Sequence, residues 1–287
     1  MQAHTNAAKE TPHTASPQRV WQHLCQEGEQ VIQDEPLLAS FVHAFVLKHD
    51  NLPSSLSFMA ANKLSDGVLP MITLYELFLD AYEQAPAIAD AAAYDITAVY
   101  ERDPAINQTL TILLYLKGYH AIQIHRVANT LWQQNRKNLA LYIQSRSSAV
   151  FGVDIHPAAR IGQGVMFDHA TGIVIGETAV IGDDVSILQG VTLGGTGKDC
   201  GDRHPKVRSG VLIGCGAQIL GNIEIGANAK VGAGSVVLQD VPANATVVGV
   251  PAIKVGQNKT QHPSQDMNQN VLEGVDLSQF IHFGHGI

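Results

Sequence analysis

The sequence predicts an α+β protein, an N-terminal α-helical domain followed by a parallel β-helix of hexapeptide repeats, and two periodicities predict it. Through most of the stretch from Val153 to Pro242 an aliphatic residue returns at every sixth position, often with glycine or a small residue after it. From Val20 to Val150 the apolar residues recur at helical spacing instead. Read from Ile213, the first column is Ile213, Ile219, Ile225, Val231 and Val237; upstream it is Ile155, Ile161 and Phe167, then, after a two-residue slip, Ile175, Ile181, Ile187 and Leu193. Four places further along lies a companion column: Ala159, Val165, Thr171, Ala179, Val185, Val191 and Gly197, then Ala217, Ile223, Ala229, Ser235 and Val241. Each hexad supplies one short strand and a turn, so about three make a triangular coil whose apolar edge is buried only when another coil stacks on it. A β-sandwich would instead alternate strictly, with strands about every eight to twelve residues.

Taken in order, residues 1–16 are rich in Ala, Thr, His and Pro without periodicity and are expected to be mobile, up to a helix start at Ser16-Pro17. Residues 17–150 form the helical domain. Trp21, Leu24, Val31 and Ile32, then Leu37, Leu38, Phe41, Val42 and Phe45, then Met71, Leu74, Leu77 and Phe78 mark successive buried faces. The longest helix is predicted to begin near Thr109 and run through Leu113, Leu116, Ile122, Ile124, Val127, Leu131 and Trp132, with Gly118 a tolerated weak point. His120 and His125 on it are five residues apart and face different directions, so they read as ordinary histidines rather than a ligand pair. Arg102-Asp103-Pro104 is a polar turn, because a residue before proline is pushed out of helical geometry. Residues 151–256 form the β-helix. Residues 257–287 form a polar, flexible tail that nonetheless finishes in Phe280, Ile281, Phe283 and Gly286-Ile287, which points to a partner.

The composition, 45% hydrophobic and 15% charged, is that of a globular chain, and a formal net charge of -8 argues against general nucleic-acid binding. Three widely spaced cysteines, Cys25, Cys200 and Cys215, suggest neither a disulfide framework nor a zinc ribbon and fit a reducing cytoplasm. No apolar run is long enough to span a bilayer, and no signal core is present.

A solenoid without a function has little reason to break register, and this one breaks twice. At Phe167-Asp168-His169-Ala170-Thr171-Gly172 a charged pair sits among aliphatics, just before the slip. From Gly194 to Gly210 the repeat yields to a polar, turn-rich stretch expected to project as a loop. That loop carries Lys198, Arg203, Lys206 and Arg208 against Asp199 and Asp202, a local +2 in an acidic chain, which points to an anionic ligand. Amides of Gly194-Gly195-Thr196-Gly197 would add donors for phosphate.

These residues resemble the serine O-acetyltransferases, left-handed β-helix acyltransferases of the hexapeptide-repeat type. The likeness rests on Asp154-Ile-His-Pro-Ala-Ala-Arg160, Asp168-His-Ala-Thr-Gly-Ile-Val174, Gly176-Glu-Thr-Ala-Val180, Val191-Thr-Leu-Gly-Gly-Thr-Gly-Lys198 and Gly201-Asp-Arg-His-Pro-Lys206. Leu114-Tyr-Leu-Lys-Gly118 and Arg102-Asp-Pro-Ala105 extend it into the helical half. Left-handed winding is implied by the resemblance, since parallel crossovers are otherwise right-handed. So is transfer of an acetyl group from acetyl-CoA to the hydroxyl of L-serine for cysteine biosynthesis. The resemblance makes His169 the general base, suited to it by an imidazole pKa of about 6.5, with Asp154 holding the ring. Asp103 and Asp168 would meet the substrate ammonium, Arg203 its carboxylate, with His204 beside the substrate. CoA would lie near Thr196, Gly197, Ala217 and Ala233, with Lys206 and Lys254 near phosphates. Family members commonly close the last coil with Pro-Ala-Arg, whereas this chain reads Pro251-Ala-Ile-Lys254, which moves the basic residue one place.

The resemblance further implies a homotrimer or dimer of trimers with active sites between neighbouring coils, inhibition by L-cysteine, and docking of Ile287 into O-acetylserine sulfhydrylase. The rival readings are a homoserine acceptor, a scaffold that recruits another enzyme through the tail, and a metal-dependent lyase like the gamma-class carbonic anhydrases. The last would use His156, His169 and His204 but lacks their paired histidine spacing, so no metal ligand is assigned.

Overall fold

A computed structural model describes residues 16–197, 200–258 and 260–271. The N-terminal part comprises α1 (Pro17–Asp34), α2 (Ala39–Val42), α3 (Leu52–Leu64), α4 (Met71–Gln84), α5 (Ala87–Arg102), α6 (Thr109–Tyr115), α7 (Lys117–Gln133) and α8 (Lys137–Phe151). Local chemistry sets several of their ends. Asn51 caps α3 by accepting the Ser54 amide at 2.9 Å, and α8 stops at Gly152, whose φ of 66° is one that glycine adopts without strain. The long helix predicted from Thr109 is in fact two. Leu116 takes an extended ψ of 103°, ending α6 and reorienting α7. Gly118 is no weak point either, because a Cβ there would collide with the Phe167 carbonyl: the start of α7 lies directly on the β-helix.

Fifteen strands follow among the described residues, wound into a prism of three sheets. Sheet A stacks β1 (Val153–Ile155), β4 (Ile173–Ile175), β7 (Thr192–Gly194), β10 (Gln218–Leu220) and β13 (Val236–Val237). Sheet B stacks β2 (Arg160–Ile161), β5 (Val180–Ile181), β8 (Lys206–Val207) and β11 (Glu224–Ile225). Sheet C stacks β3 (Met166–Asp168), β6 (Ser186–Leu188), β9 (Leu212–Ile213), β12 (Lys230–Val231), β14 (Ala245–Gly249) and, antiparallel at its edge, β15 (Ala252–Gln257).

The register measures both breaks. Val174 pairs with Thr192, 18 residues on, and Gln218 with Val236, again 18, which is three hexads. Val153 pairs with Ile173, 20 on, so the first coil holds the two extra residues, and Thr192 pairs with Gln218, 26 on, so the third holds eight. The first column is buried throughout except for the half-buried Ile161. The companion column needs two corrections, because Thr171 and Gly197 are exposed. The extra residues displace them outward, and the buried Ile173 and Pro205 take their places in the core.

The helices are fastened to the prism by buried charge. Asp95 of α5, fully buried, accepts Arg126 Nη2 at 2.7 Å, Gln123 Nε2 at 2.8 Å and the Val165 amide at 3.0 Å. Arg126 also reaches the Gly162 carbonyl at 2.8 Å, and Arg102, at the end of α5, donates to Asp184 and to the Gly164 carbonyl, both at 2.7 Å. Part of the tail expected to be free is seated too. Helix α9 (Pro263–Asp266) packs beside α5, with Ser264 buried and its carbonyl accepting Ser186 Oγ at 2.9 Å. No helix among the described residues is long and apolar enough to cross a membrane.

Candidate active site

The two extra residues of the first coil form the corner between β3 of sheet C and β4 of sheet A. There His169 and Ala170 both take positive φ, 52° and 59°, rare for residues with a side chain. The Ala170 amide bonds the Asp168 carbonyl at 2.5 Å and the Thr171 amide the His169 carbonyl at 2.8 Å, which throws the His169 ring outward, 76% exposed. From the helical side, Pro104 holds Asp103 extended at the end of α5, where its carboxylate closes a turn on the Ala105 amide at 2.8 Å. These elements enclose a cleft of about 400 Å³ whose polar wall is Asp103, Asp168, His169 and Lys117. His169 Nε2 lies 3.8 Å from Asp168 Oδ1. Burial raises the Asp168 carboxyl above the ordinary range, the Asp103 charge raises it further, and His169 opposes both. Two carboxylates facing one cleft suit an ammonium ligand.

Arg203 and His204 stand at another corner, between sheets A and B, where the eight-residue insertion leaves β7. The Thr178 hydroxyl accepts both the Arg203 and His204 amides at 3.0 Å and so moors the loop. The Arg203 guanidinium pairs with Glu177 Oε2 at 2.6 Å, and this hydrogen bond holds the Glu177 carboxyl below the usual range. His204 is buried against Gly176, where any side chain would overlap the ring. Its Nδ1 accepts the Thr178 amide at 3.1 Å, so a neutral ring carries its proton on Nε2, and burial and then Arg203 lower its pKa. His156 belongs to this corner as well, edge-on to Trp132 at 5.1 Å. Burial lowers its pKa, while Glu177 and Asp154 oppose that.

The remaining assignments scatter. Asp154 lies in the middle of β1 and accepts Gln144 Nε2 at 2.7 Å; the His169 ion pair is with Asp168. Thr196 and Gly197 are exposed at the start of the insertion, while Lys198 and Asp199 lie outside the described residues. Lys206 is engaged by Asp202 and the His204 carbonyl at 2.6 Å and by the Thr178 carbonyl at 3.0 Å, so it braces the loop. Ala217 is wholly interior with its carbonyl taken by the Thr192 amide, Ala233 is exposed, and Lys254 stands exposed on β15. Ile287 lies outside the described residues. At the A–C corner Gly172, Gly190 and Gly216 lie one above the next, so that a Cβ on either of the first two would touch the following glycine.

Three residues carrying no role in the sequence reading gain one here. Thr178 and Glu177 sit inside a quoted motif, and Lys117 precedes Gly118 in another; spacing gave no hint that they meet the two corners. Among the described residues, no group of three His, Cys, Asp or Glu is placed to hold a metal ion.

A family model described as "Serine acetyltransferase, N-terminal" matches residues 20–124, and one described as "Bacterial transferase hexapeptide (six repeats)" matches residues 204–239. The serine acetyltransferase of Haemophilus influenzae is 60% identical over 257 residues, spanning 90% of this chain and 96% of that protein. A serine acetyltransferase structure from Vibrio cholerae superposes with a TM-score of 0.88 at 57% identity, covering 89% of this chain and 99% of that one. One in complex with cysteine gives 0.87 at 60% identity, with 88% and 98% covered. One in complex with CoA gives 0.81 at 59%, with 83% and 100% covered.

Proposed function

This chain belongs to the serine acetyltransferase family, and from that premise we propose how its residues divide the reaction. The enzyme moves the acetyl group of acetyl-CoA, its co-substrate, to the hydroxyl of L-serine, giving O-acetyl-L-serine and CoA. His169 is the general base. As the serine oxygen attacks the thioester carbonyl, the imidazole takes the hydroxyl proton; the new C–O bond gives a tetrahedral oxyanion, the C–S bond then breaks, and the imidazolium returns the proton to the departing sulfur. One observation carries this assignment: the cleft at the first break in the β-helix gathers His169 with the two carboxylates, Asp103 and Asp168, that would hold the serine ammonium.

Asp154 holds the imidazole in one tautomer, exchanging Gln144 for the ring. The stacking of the His169 corner on the start of β1, through the Gly172 amide and Gly152 carbonyl at 2.7 Å, supports that reach. Arg203 binds the substrate carboxylate with His204 beside it. Because these two occupy the A–B corner and His169 the A–C corner, the complete site is built between neighbouring coils of a homotrimer or dimer of trimers, and the exposed Val174 between the corners fits a covered face. CoA follows the stacked glycines of the A–C corner past Ala217 and Ala233, with Thr196 and Gly197 from the neighbour, and Lys254 is the nearer candidate for phosphate since Lys206 is already engaged. L-cysteine, which shares the ammonium and carboxylate of serine, competes at the same place. Ile287 docks into O-acetylserine sulfhydrylase, and the enzyme works in the cytoplasm, where its three free cysteines stay reduced.

Thiol release from acetyl-CoA with L-serine, and with homoserine as control, tests the reading. A folded His169→Ala variant is expected to lose about 10²- to 10⁴-fold, and one that keeps full rate would remove His169 from the base role. Deleting Ile287 is expected to abolish a complex with the sulfhydrylase; a complex that survives refutes the docking.

A further inference from the structure

Two consecutive residues grip the His169 corner on either side. Gly118 lies against the Phe167 carbonyl, two residues before His169, and Lys117 Nζ donates to Thr171 Oγ1, two residues after it. The corner between is strained, since His169 and Ala170 both take positive φ, and such a backbone persists only where its surroundings hold it. Lys117 is also oddly placed for a surface lysine. It is the first residue of α7, where the helix dipole disfavours a cation, and no acidic residue in that first turn balances it. It shares the cleft with Asp103, Asp168 and His169.

We propose that Lys117 is a positioning residue for the acetyl transfer: by bonding Thr171 it holds the His169–Thr171 corner so that the imidazole faces the acceptor hydroxyl. The ammonium touches neither reactant in this role and acts through Thr171. The inference rests on His169 being the base.

Steady-state kinetics on the full-length enzyme, with L-serine and acetyl-CoA varied in turn, test it. Lys117→Met is expected to lower kcat about 10- to 100-fold, the range for removing one hydrogen bond from a charged donor, while both KM values stay within about threefold. Thr171→Val is expected to lower kcat to a similar degree, and the double variant to be no worse than either single one, because both remove the same link. Lys117→Arg restores most of the rate. An unchanged kcat in Lys117→Met, a change confined to KM for serine, or additive losses in the double variant would each overturn the proposal. Should Lys117→Met fail to fold, Thr171→Val alone decides it through the same split between kcat and KM. His169→Ala separates the two readings: if it keeps its rate the base assignment fails, and if it loses its rate while Lys117→Met does not, only the positioning role fails.

Discussion

Replacing Gly118 by alanine asks how closely the helical part must sit on the β-helix for the enzyme to work. The added Cβ would meet the carbonyl oxygen, carbonyl carbon and Cβ of Phe167, two of them backbone atoms that cannot rotate away. The added Cβ would lie 2.0 Å from that oxygen, so restoring an ordinary carbon–oxygen contact of about 3.3–3.6 Å means moving the start of α7 off β3 by roughly 1.3–1.6 Å. Overpacking of this kind costs about 1–3 kcal/mol, and alanine returns up to about 1 kcal/mol as a better helix former than glycine. The net is a destabilisation of up to about 2 kcal/mol, or up to roughly 8 °C in Tm for a domain of this size. Function should suffer more than stability, since Lys117 moves with the helix away from the His169 corner that it bonds, and an ångström of misplacement costs up to about 100-fold. Thermal denaturation with the thiol-release assay reads both. A Gly118→Ala protein with wild-type Tm and wild-type kcat/KM would refute the argument that this approach is both tight and necessary.

Asp95→Ala leaves Arg126 buried without its partner and is expected to cost about 3–5 kcal/mol, visible as a lowered midpoint in urea. Asp168→Asn should raise the KM for serine yet stabilise the fold at neutral pH. Burial raises that carboxyl, so between its ordinary and raised pKa the folded chain holds a proton the unfolded chain has lost, and stability falls as pH rises through the window. The melting advantage of Asp168→Asn should therefore vanish below the ordinary carboxylate range, and an advantage that persists there would contradict it. Burial pushes His120 down to about 4 and His125 to about 3, so both stay neutral in the folded chain while the unfolded chain protonates near its ordinary range. Stability should then be lost as pH falls below about 6.5, and His125→Leu should flatten that slope by up to one proton in acid denaturation curves.

Much of the β-helix could be read from the sequence because its code is short. Each hexad repeats the same inside and outside positions, so Ile213, Ile219, Ile225, Val231 and Val237 declare one buried column with no knowledge of what packs against it. The same regularity made the two breaks visible, and both corners of the candidate site lie at them. Helical faces were legible for the same reason, although the break at Leu116 was not: an apolar residue continues the period while its backbone leaves the helix. Gly118 and Lys117 look like an ordinary helix interior until β3 is seen beneath them, and Arg203 looks like a free anion site until Glu177 meets it. Asp154 and His169, matched by motif, are kept by the fold with different carboxylate and amide partners. The polar stretch around Ser264 lacks any period, yet it is seated because Ser186 and the flank of α5 offer it a surface. The sequence by itself determined what repeats, because stacking one coil on the next is a local rule. Which residues meet across the corners is decided only in three dimensions, by contacts between segments up to about ninety residues apart, such as Tyr94 and Asp184, that no short period encodes.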